Sequence, residues 1–280
     1  VSAATVQSAG VGRRVRWLLL GTAILYVAIL LLAPLAGIIW AALGEGLSVL
    51  GDTFSQPEVL HAFQLTAIIT LITVMVTSVF GVVAALVLAR HPFRGSGLLS
   101  ALVDLPLAVS PVIVGLMAVL LFGRGAWFEP FFAARGIQIM FALPSMILVT
   151  IFICIPFVIR EVVPVLQELG TEEEQAARTL GASAWQTFFR ITLPNIQWGL
   201  FYGAALSTAR AMGEIGAVLI VSGTIQGHTE TATLYVFRAL EERQDASANL
   251  VALTLAAISI VILVGIEIFK RRQAKEMAVA

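Results

Sequence analysis

The chain has 280 residues, of which 59% are hydrophobic and 12% charged, with 17 basic and 17 acidic side chains and a mean hydropathy of +0.96. Soluble domains carry about 25% charged residues, so this chain lacks the polar surface to cover a water-soluble globule and reads as an all-α, polytopic membrane protein. Its one cysteine, Cys154, excludes internal disulfides and cysteine-based metal clusters.

The first residues are small and polar and read as a tail over 1–16. The apolar segment after Arg13, Arg14 and Arg16 is too long for a signal peptide and lacks a cleavage pattern, so it is expected to be an uncleaved first span. About 20 apolar residues cross the hydrocarbon as a helix. Six stretches qualify: Trp17–Ala41, Ala62–Ala89, Leu98–Phe122, Ile139–Ile159, Trp198–Ser222 and Ala248–Phe269. They define a membrane domain over 17–269, followed by a tail at 270–280. The loops then alternate between two sides. One side, with both termini, carries 12 of the 17 basic residues, the other carries 4, and Arg210 lies inside a span. The positive-inside rule makes the richer side, and both termini, cytoplasmic.

Two positions interrupt the spans chemically. In the third, Ser110-Pro111 frees a backbone carbonyl and reads either as a gate or as a static kink, with Ser110 a candidate pathway residue. In the fifth, Arg210 and Glu214 stand one turn apart in apolar surroundings, where each charge alone is costly, and the spacing lets them neutralise one another. They form a buried structural pair, a bridge to a partner subunit, or a pair tuning the field of an anion pathway. Gly199, Gly203, Ser207 and Ala211 make a small-residue stripe on the same span, suited to close helix packing or a partner interface.

The polar island at 170–195 stands out from the rest. Thr171-Glu-Glu-Glu174 and Ser183-Ala-Trp-Gln186 both have capping-box spacing. Gly181 suits a left-handed helix terminus, and Pro194 closes the unit. The expectation is two short helices with a hinge, with Ala176, Ala177 and Leu180 sharing one apolar face. In isolation this is an amphipathic helix-turn-helix on the cytoplasmic face.

No Gly-Lys-Ser/Thr phosphate loop can be assembled, since the only lysines are Lys270 and Lys275. His61, His91 and His228 lack metal-ligand spacing, and no basic face with interleaved aromatics supports nucleic-acid binding. The span interiors hold too few acidic or histidine residues for a membrane-embedded enzyme.

The string Gln175-Ala176-Ala177, then Gly181, then Ile191-x-Leu193-Pro194 resembles the EAA loop of ATP-binding-cassette importer permeases. Gln175 stands where that family has glutamate, with Glu173 and Glu174 just before it. Asp104–Leu116 and Ala209–Ala217 are similar to the third-span and fifth-span segments of sulfate and molybdate permeases, and Val221–Thr231 with Leu193–Gly199 most resembles the W-type subunits of sulfate/thiosulfate permeases. The resemblance covers most of the chain. It implies a type I (MetI/molybdate-permease-like) six-helix importer domain in a bacterial cytoplasmic (inner) membrane, with no enzymatic activity and no cofactor of its own. It further implies a homologous T-type permease subunit, two ATPase subunits that hold ATP and Mg, and an extracytoplasmic sulfate-binding protein. Within the resemblance, Glu173, Glu174, Gln175, Ala176, Ala177, Leu180, Gly181 and Pro194 are the ATPase-coupling residues. Ser110, Pro111, Arg210 and Glu214 are the candidate pathway or gate residues. A homodimeric molybdate or tungstate permease is the alternative within the fold. An ion-coupled secondary transporter is the alternative outside it, and would call for paired half-helices at the membrane midplane, which the sequence does not display.

Overall fold

The computed structural model describes residues 13–44, 47–91 and 93–277, so the tail ahead of Arg13 lies outside the described residues. The chain runs through α1 (Arg13–Gly44), α2 (Leu47–Phe54), α3 (Pro57–Arg90), α4 (Ser96–Ala108), α5 (Pro111–Phe122), α6 (Glu129–Ala133) and α7 (Leu143–Leu169). It continues through α8 (Glu172–Thr179), α9 (Ala184–Thr187), a π-helical turn (Phe188–Thr192), α10 (Leu193–Met212), α11 (Gly216–Ser222), α12 (Ala232–Glu241) and α13 (Asp245–Met277). The described residues include no strand.

Among the described residues, four helices are long and apolar enough to cross a membrane: α1, α3, α7 and α13. The third and fifth expected spans are instead broken pairs. α4 and α5 meet at 109°, and the helix through α9 and α10 meets α11 at 56°. Each pair completes one of the six expected spans only as a bent unit.

Helix boundaries differ from the hydropathy windows for local reasons. α7 starts at Leu143, four residues late, because 137–142 leaves the helix to pair with α11, the Phe141 amide donating to the Val221 carbonyl. It then runs to Leu169 and stops at Gly170, whose φ of +65° suits glycine. Arg160 and Glu161 end the apolar window but not the helix, so Arg160–Leu169 is helix rather than loop. α13 likewise continues helically through the first residues of the expected C-terminal tail.

The core lies between α3 and α7, the most extensively packed pair, with α10 against both. At the end bearing the polar island, Val82, Ala85, Val158, Val162, Leu166 and Ile196 pack together. Towards the opposite end, Leu65, Ile69, Val114, Met146, Val149, Val218 and Leu234 join α3, α5, α7, α11 and α12. The small-residue stripe of α10 is spent inside the chain, on α7, rather than on a partner. A Cβ on Gly203 would stand 2.7 Å from Val158 Cα, and one on Gly199 would stand 2.9 Å from the Glu161 carbonyl oxygen. Cys154 and Ser207 extend the same contact, the Cys154 thiol facing the Ser207 carbonyl at 3.7 Å.

α1 packs chiefly on α13 and leaves Trp17, Leu18, Leu19, Ile24 and Leu25 exposed, as a helix does whose surroundings are lipid or another subunit. Far from the island, Arg238 of α12 ties the 224–249 segment together. It binds Glu230, whose side chain is 1% exposed, at 2.7 Å and Glu242 at 2.8 Å, with Glu58 at 3.6 Å. The Glu230 carboxylate holds the Arg238 pKa above the usual guanidinium value.

Candidate functional site

The polar island is built by three local devices. α8 ends in a Schellman motif, the Ala182 amide donating to the Ala177 carbonyl and the Gly181 amide to the Arg178 carbonyl. Gly181 takes φ +88° there, as its position required. Ser183 caps α9 with both halves of a capping box, Oγ accepting from the Gln186 amide and Gln186 Oε1 accepting from the Ser183 amide. The third device departs from expectation. The second helix does not end at Pro194 but runs from Ala184 through Met212. Proline has no N–H and crowds the carbonyl four residues back, and the wide π turn at Phe188–Thr192 absorbs that misfit. The island is thus continuous with the fifth span, with no hinge between them.

The expected capping box at Thr171 does not form. Gln175 Nε2 donates to Thr171 Oγ1 instead, and Glu174 is taken by distant groups. Its Oε1 accepts from Arg90 Nη2 at 3.1 Å and from Thr192 Oγ1 at 3.0 Å. Arg90 Nη1 donates onward to the Leu166 carbonyl at 2.9 Å. The Arg90 and Glu174 side chains are only 11% and 16% exposed. Glu173 adds a bond, accepting from Asn195 Nδ2 at 2.7 Å. One carboxylate therefore joins α8 to the last residue of α3, to the end of α7 and to the turn leading into α10. Arg90, Thr192 and Asn195 were not among the sequence candidates.

The other face of the island is bare. Ala176 is exposed, Leu180 is 89% and Trp185 72% exposed, and Phe189 is half-exposed. Trp185 and Phe189 stack at 5.4 Å between centroids. The island thus presents an exposed apolar surface on one side and a polar clamp beneath it.

The two broken spans meet one another. Ser110 is extended at the α4–α5 break and Pro111 begins α5. Gly216 begins α11 so close by that a Cβ on it would lie 3.0 Å from Pro111 Cβ. Deeper along the same contact, a Cβ on Gly115 would lie 2.8 Å from the Ala217 carbonyl oxygen. Each of these two spans is thus interrupted once, by proline in one and by Gly213 and Gly216 in the other. Arg210 lies in the last turn of α10 and Glu214 within the break itself, so they do not share one helix face. Arg210 Nη2 lies 2.6 Å from Glu214 Oε2, and the Glu214 side chain is 2% exposed. Glu214 Oε1 accepts from the Ala217 amide at 2.9 Å, and the Glu214 carbonyl accepts from Thr233 Oγ1 at 3.0 Å. The carboxylate thus satisfies an amide at the start of α11 while Arg210 balances its charge.

A further ion pair, without a signature in the sequence, links α4 to α7. Arg160 Nε donates to Asp104 Oδ1 at 2.8 Å, with side chains 57% and 38% exposed. No group of three or more His, Cys, Asp or Glu able to hold a metal ion is present among the described residues.

Residues 78–279 match the model of a family described as binding-protein-dependent transport system inner membrane component. Over 266 residues the chain is 45% identical to the sulfate transport system permease protein CysW of Synechocystis sp. (strain ATCC 27184 / PCC 6803 / Kazusa), covering 95% of this chain and 96% of that protein. It is 34% identical over 253 residues to the sulfate transport system permease protein CysT of Escherichia coli (strain K12), covering 90% and 91% respectively. Among solved structures, a chain of a bacterial alginate ABC transporter in complex with alginate pentasaccharide-bound periplasmic protein has the same fold. The TM-score is 0.77 at 19% identity, over 94% of this chain and 96% of that one.

Proposed function

The chain belongs to the family of binding-protein-dependent transport system inner membrane components, and from that premise we propose that it is the W-type membrane subunit of an ATP-driven sulfate/thiosulfate importer. Its greater identity to a CysW protein than to a CysT protein supports the W-type assignment, and a homologous T-type subunit then completes the membrane domain. Two partner ATPases bind ATP and Mg, and a binding protein outside the membrane delivers the anion. The termini and the polar island lie in the cytoplasm, as the distribution of basic residues requires. A homodimeric molybdate permease is not favoured, because both sulfate-permease relatives span nearly the whole chain.

The observation that carries the coupling role is the Glu174 clamp beneath a bare apolar face. Movement of an ATPase docked on Leu180, Trp185 and Phe189 reaches α3, α7 and α10 together through Glu174, Arg90, Thr192 and the Leu166 carbonyl. Because α9, the π turn and α10 are one helix, that movement passes directly to the break at Gly213 and so to the facing break at Ser110-Pro111. Two bent spans packed break against break are a natural gate: a change in either bend slides α5 over α11. Ser110, Pro111 and Glu214 act in this gate, with Arg210 as counter-ion to Glu214. The chain supplies the pathway and the lever, and hydrolysis takes place on its partners.

The test is uptake of labelled sulfate by cells with and without this chain, in competition with thiosulfate and molybdate. Lost uptake on deletion, with competition by thiosulfate far exceeding that by molybdate, is the expected result. Unchanged sulfate uptake with lost molybdate accumulation overturns the substrate.

A further inference from the structure

The Asp104–Arg160 pair lines a cleft of about 510 Å³ between α4 and α7, bordered also by Ser96, Ser100 and Gln167. Its rim includes Leu88, two residues before Arg90, and Gln167 adjoins Leu166, so the cleft opens beside the coupling island. Charged side chains on apolar spans face a water-filled cavity or another protein group rather than lipid. Both members of this pair are more than a third exposed, which marks the cleft as wet or subunit-covered.

The arginines differ in what they have left to offer. Both terminal nitrogens of Arg90 are taken, by Glu174 and the Leu166 carbonyl. Arg210 is spent on a buried carboxylate that satisfies α11, and Arg238 is held by three carboxylates. Arg160 binds Asp104 through Nε alone. Among the described residues no acceptor meets its terminal nitrogens, so the forked edge that suits an oxyanion remains available on a side chain that lines the cleft.

We propose that this cleft is a transit site for the translocated divalent oxyanion, with Arg160 its anion contact and Asp104 the competitor that keeps the hold weak. The proposal rests on the reading that the chain conducts such an anion. A pathway site must bind well enough to be entered and weakly enough to be left. An unopposed guanidinium would hold a divalent anion more tightly, and the carboxylate on its Nε edge lowers that retention. The Ser96 and Ser100 hydroxyls and the Gln167 amide can replace lost hydration.

The experiment uses the complete transporter in proteoliposomes with its binding protein, reading labelled sulfate uptake and binding-protein-stimulated ATPase. Uptake by the unaltered complex tests the functional reading by itself, and its absence sinks that reading whatever the variants do. With uptake established, Arg160→Gln and the double variant Asp104→Asn/Arg160→Gln are expected to lose about tenfold or more, the worth of a charged hydrogen bond, while stimulated ATPase persists. Asp104→Asn is expected to keep transporting but to be inhibited more strongly by sulfate enclosed in the vesicles. A merely structural ion pair predicts the reverse pattern, with Asp104→Asn as damaging as Arg160→Gln and the double variant restored. That pattern, or full uptake by Arg160→Gln, overturns the proposal. If Arg160→Gln does not assemble, Arg160→Lys carries the test: it keeps the charge but loses the fork, so uptake should fall while stimulated ATPase persists, and full uptake overturns the proposal.

Discussion

Replacing Glu174 with alanine should separate ATP hydrolysis from transport. The substitution removes the carboxylate that Arg90 Nη2 and Thr192 Oγ1 share and leaves the largely buried Arg90 side chain with the Leu166 carbonyl alone. Breaking a buried ion pair costs about 3–5 kcal/mol. Arg90 keeps one acceptor and stands where the membrane domain meets water, so the expected loss is about 2 kcal/mol. A loss of that size is roughly a 30-fold shift between the fixed and loosened island. Hydrolysis by the assembled complex should persist, sulfate uptake should fall by about tenfold or more, and hydrogen exchange should speed up in α8 and at the end of α3. Glu174→Gln can still accept from Thr192 and should fall between the two. Glu172→Ala, on the exposed side of the same turn, should stay within about 0.5 kcal/mol of the parent and serves as the control. Full uptake by Glu174→Ala, with unchanged exchange in α8, would refute the clamp.

Gly203→Ala forces a methyl group to 2.7 Å from Val158 Cα, and backbone cannot swing aside as a side chain can. We expect about 1–3 kcal/mol of destabilisation, measured as a lower melting temperature of the detergent-solubilised complex; an unchanged value would contradict the α7–α10 contact. Glu214→Ala strips Arg210 of its counter-ion and the Ala217 amide of its acceptor, so the amount of assembled complex should fall sharply. Glu214→Ala with a normal yield would show that the break does not depend on this carboxylate. Arg238→Ala leaves the Glu230 carboxylate buried and without its guanidinium. It should loosen the 224–249 segment, read as faster limited proteolysis there, and equal proteolysis would remove Arg238 from its tying role.

How much could be read in advance followed the range of each interaction. The Gly181 terminus and the Ser183–Gln186 box depend on neighbours a few residues away, and both formed as their spacing implied. The Thr171–Glu174 box had the same local grammar and failed, because Arg90, 84 residues distant, and Thr192 claim the Glu174 oxygen. A charged partner arriving through the tertiary fold outweighs a neutral capping bond. Ser110-Pro111 was visible as a break because proline announces itself. The break at Gly213 was not, since glycine inside an apolar run also serves packing, as Gly199 and Gly203 do. The signal that could have revealed it was Glu214 set between Gly213 and Gly216, a carboxylate placed to serve a new helix start. Hydropathy ended α7 at Arg160, whereas backbone geometry ended it at Gly170, where the left-handed region requires glycine. The Asp104–Arg160 link spans 56 residues and has no local signature.

The central claim, that the island delivers ATP-driven movement to the broken spans, is tested most directly by disulfide trapping at Leu180. With Cys154 replaced by serine, Leu180→Cys should crosslink to a cysteine introduced on the docking face of the ATPase subunit. The crosslink should block sulfate uptake, and reductant should restore it, while Thr187→Cys, buried at 3% exposure, should give no crosslink. Failure of every ATPase cysteine to trap Leu180→Cys, or undiminished uptake with the crosslink in place, would contradict the account.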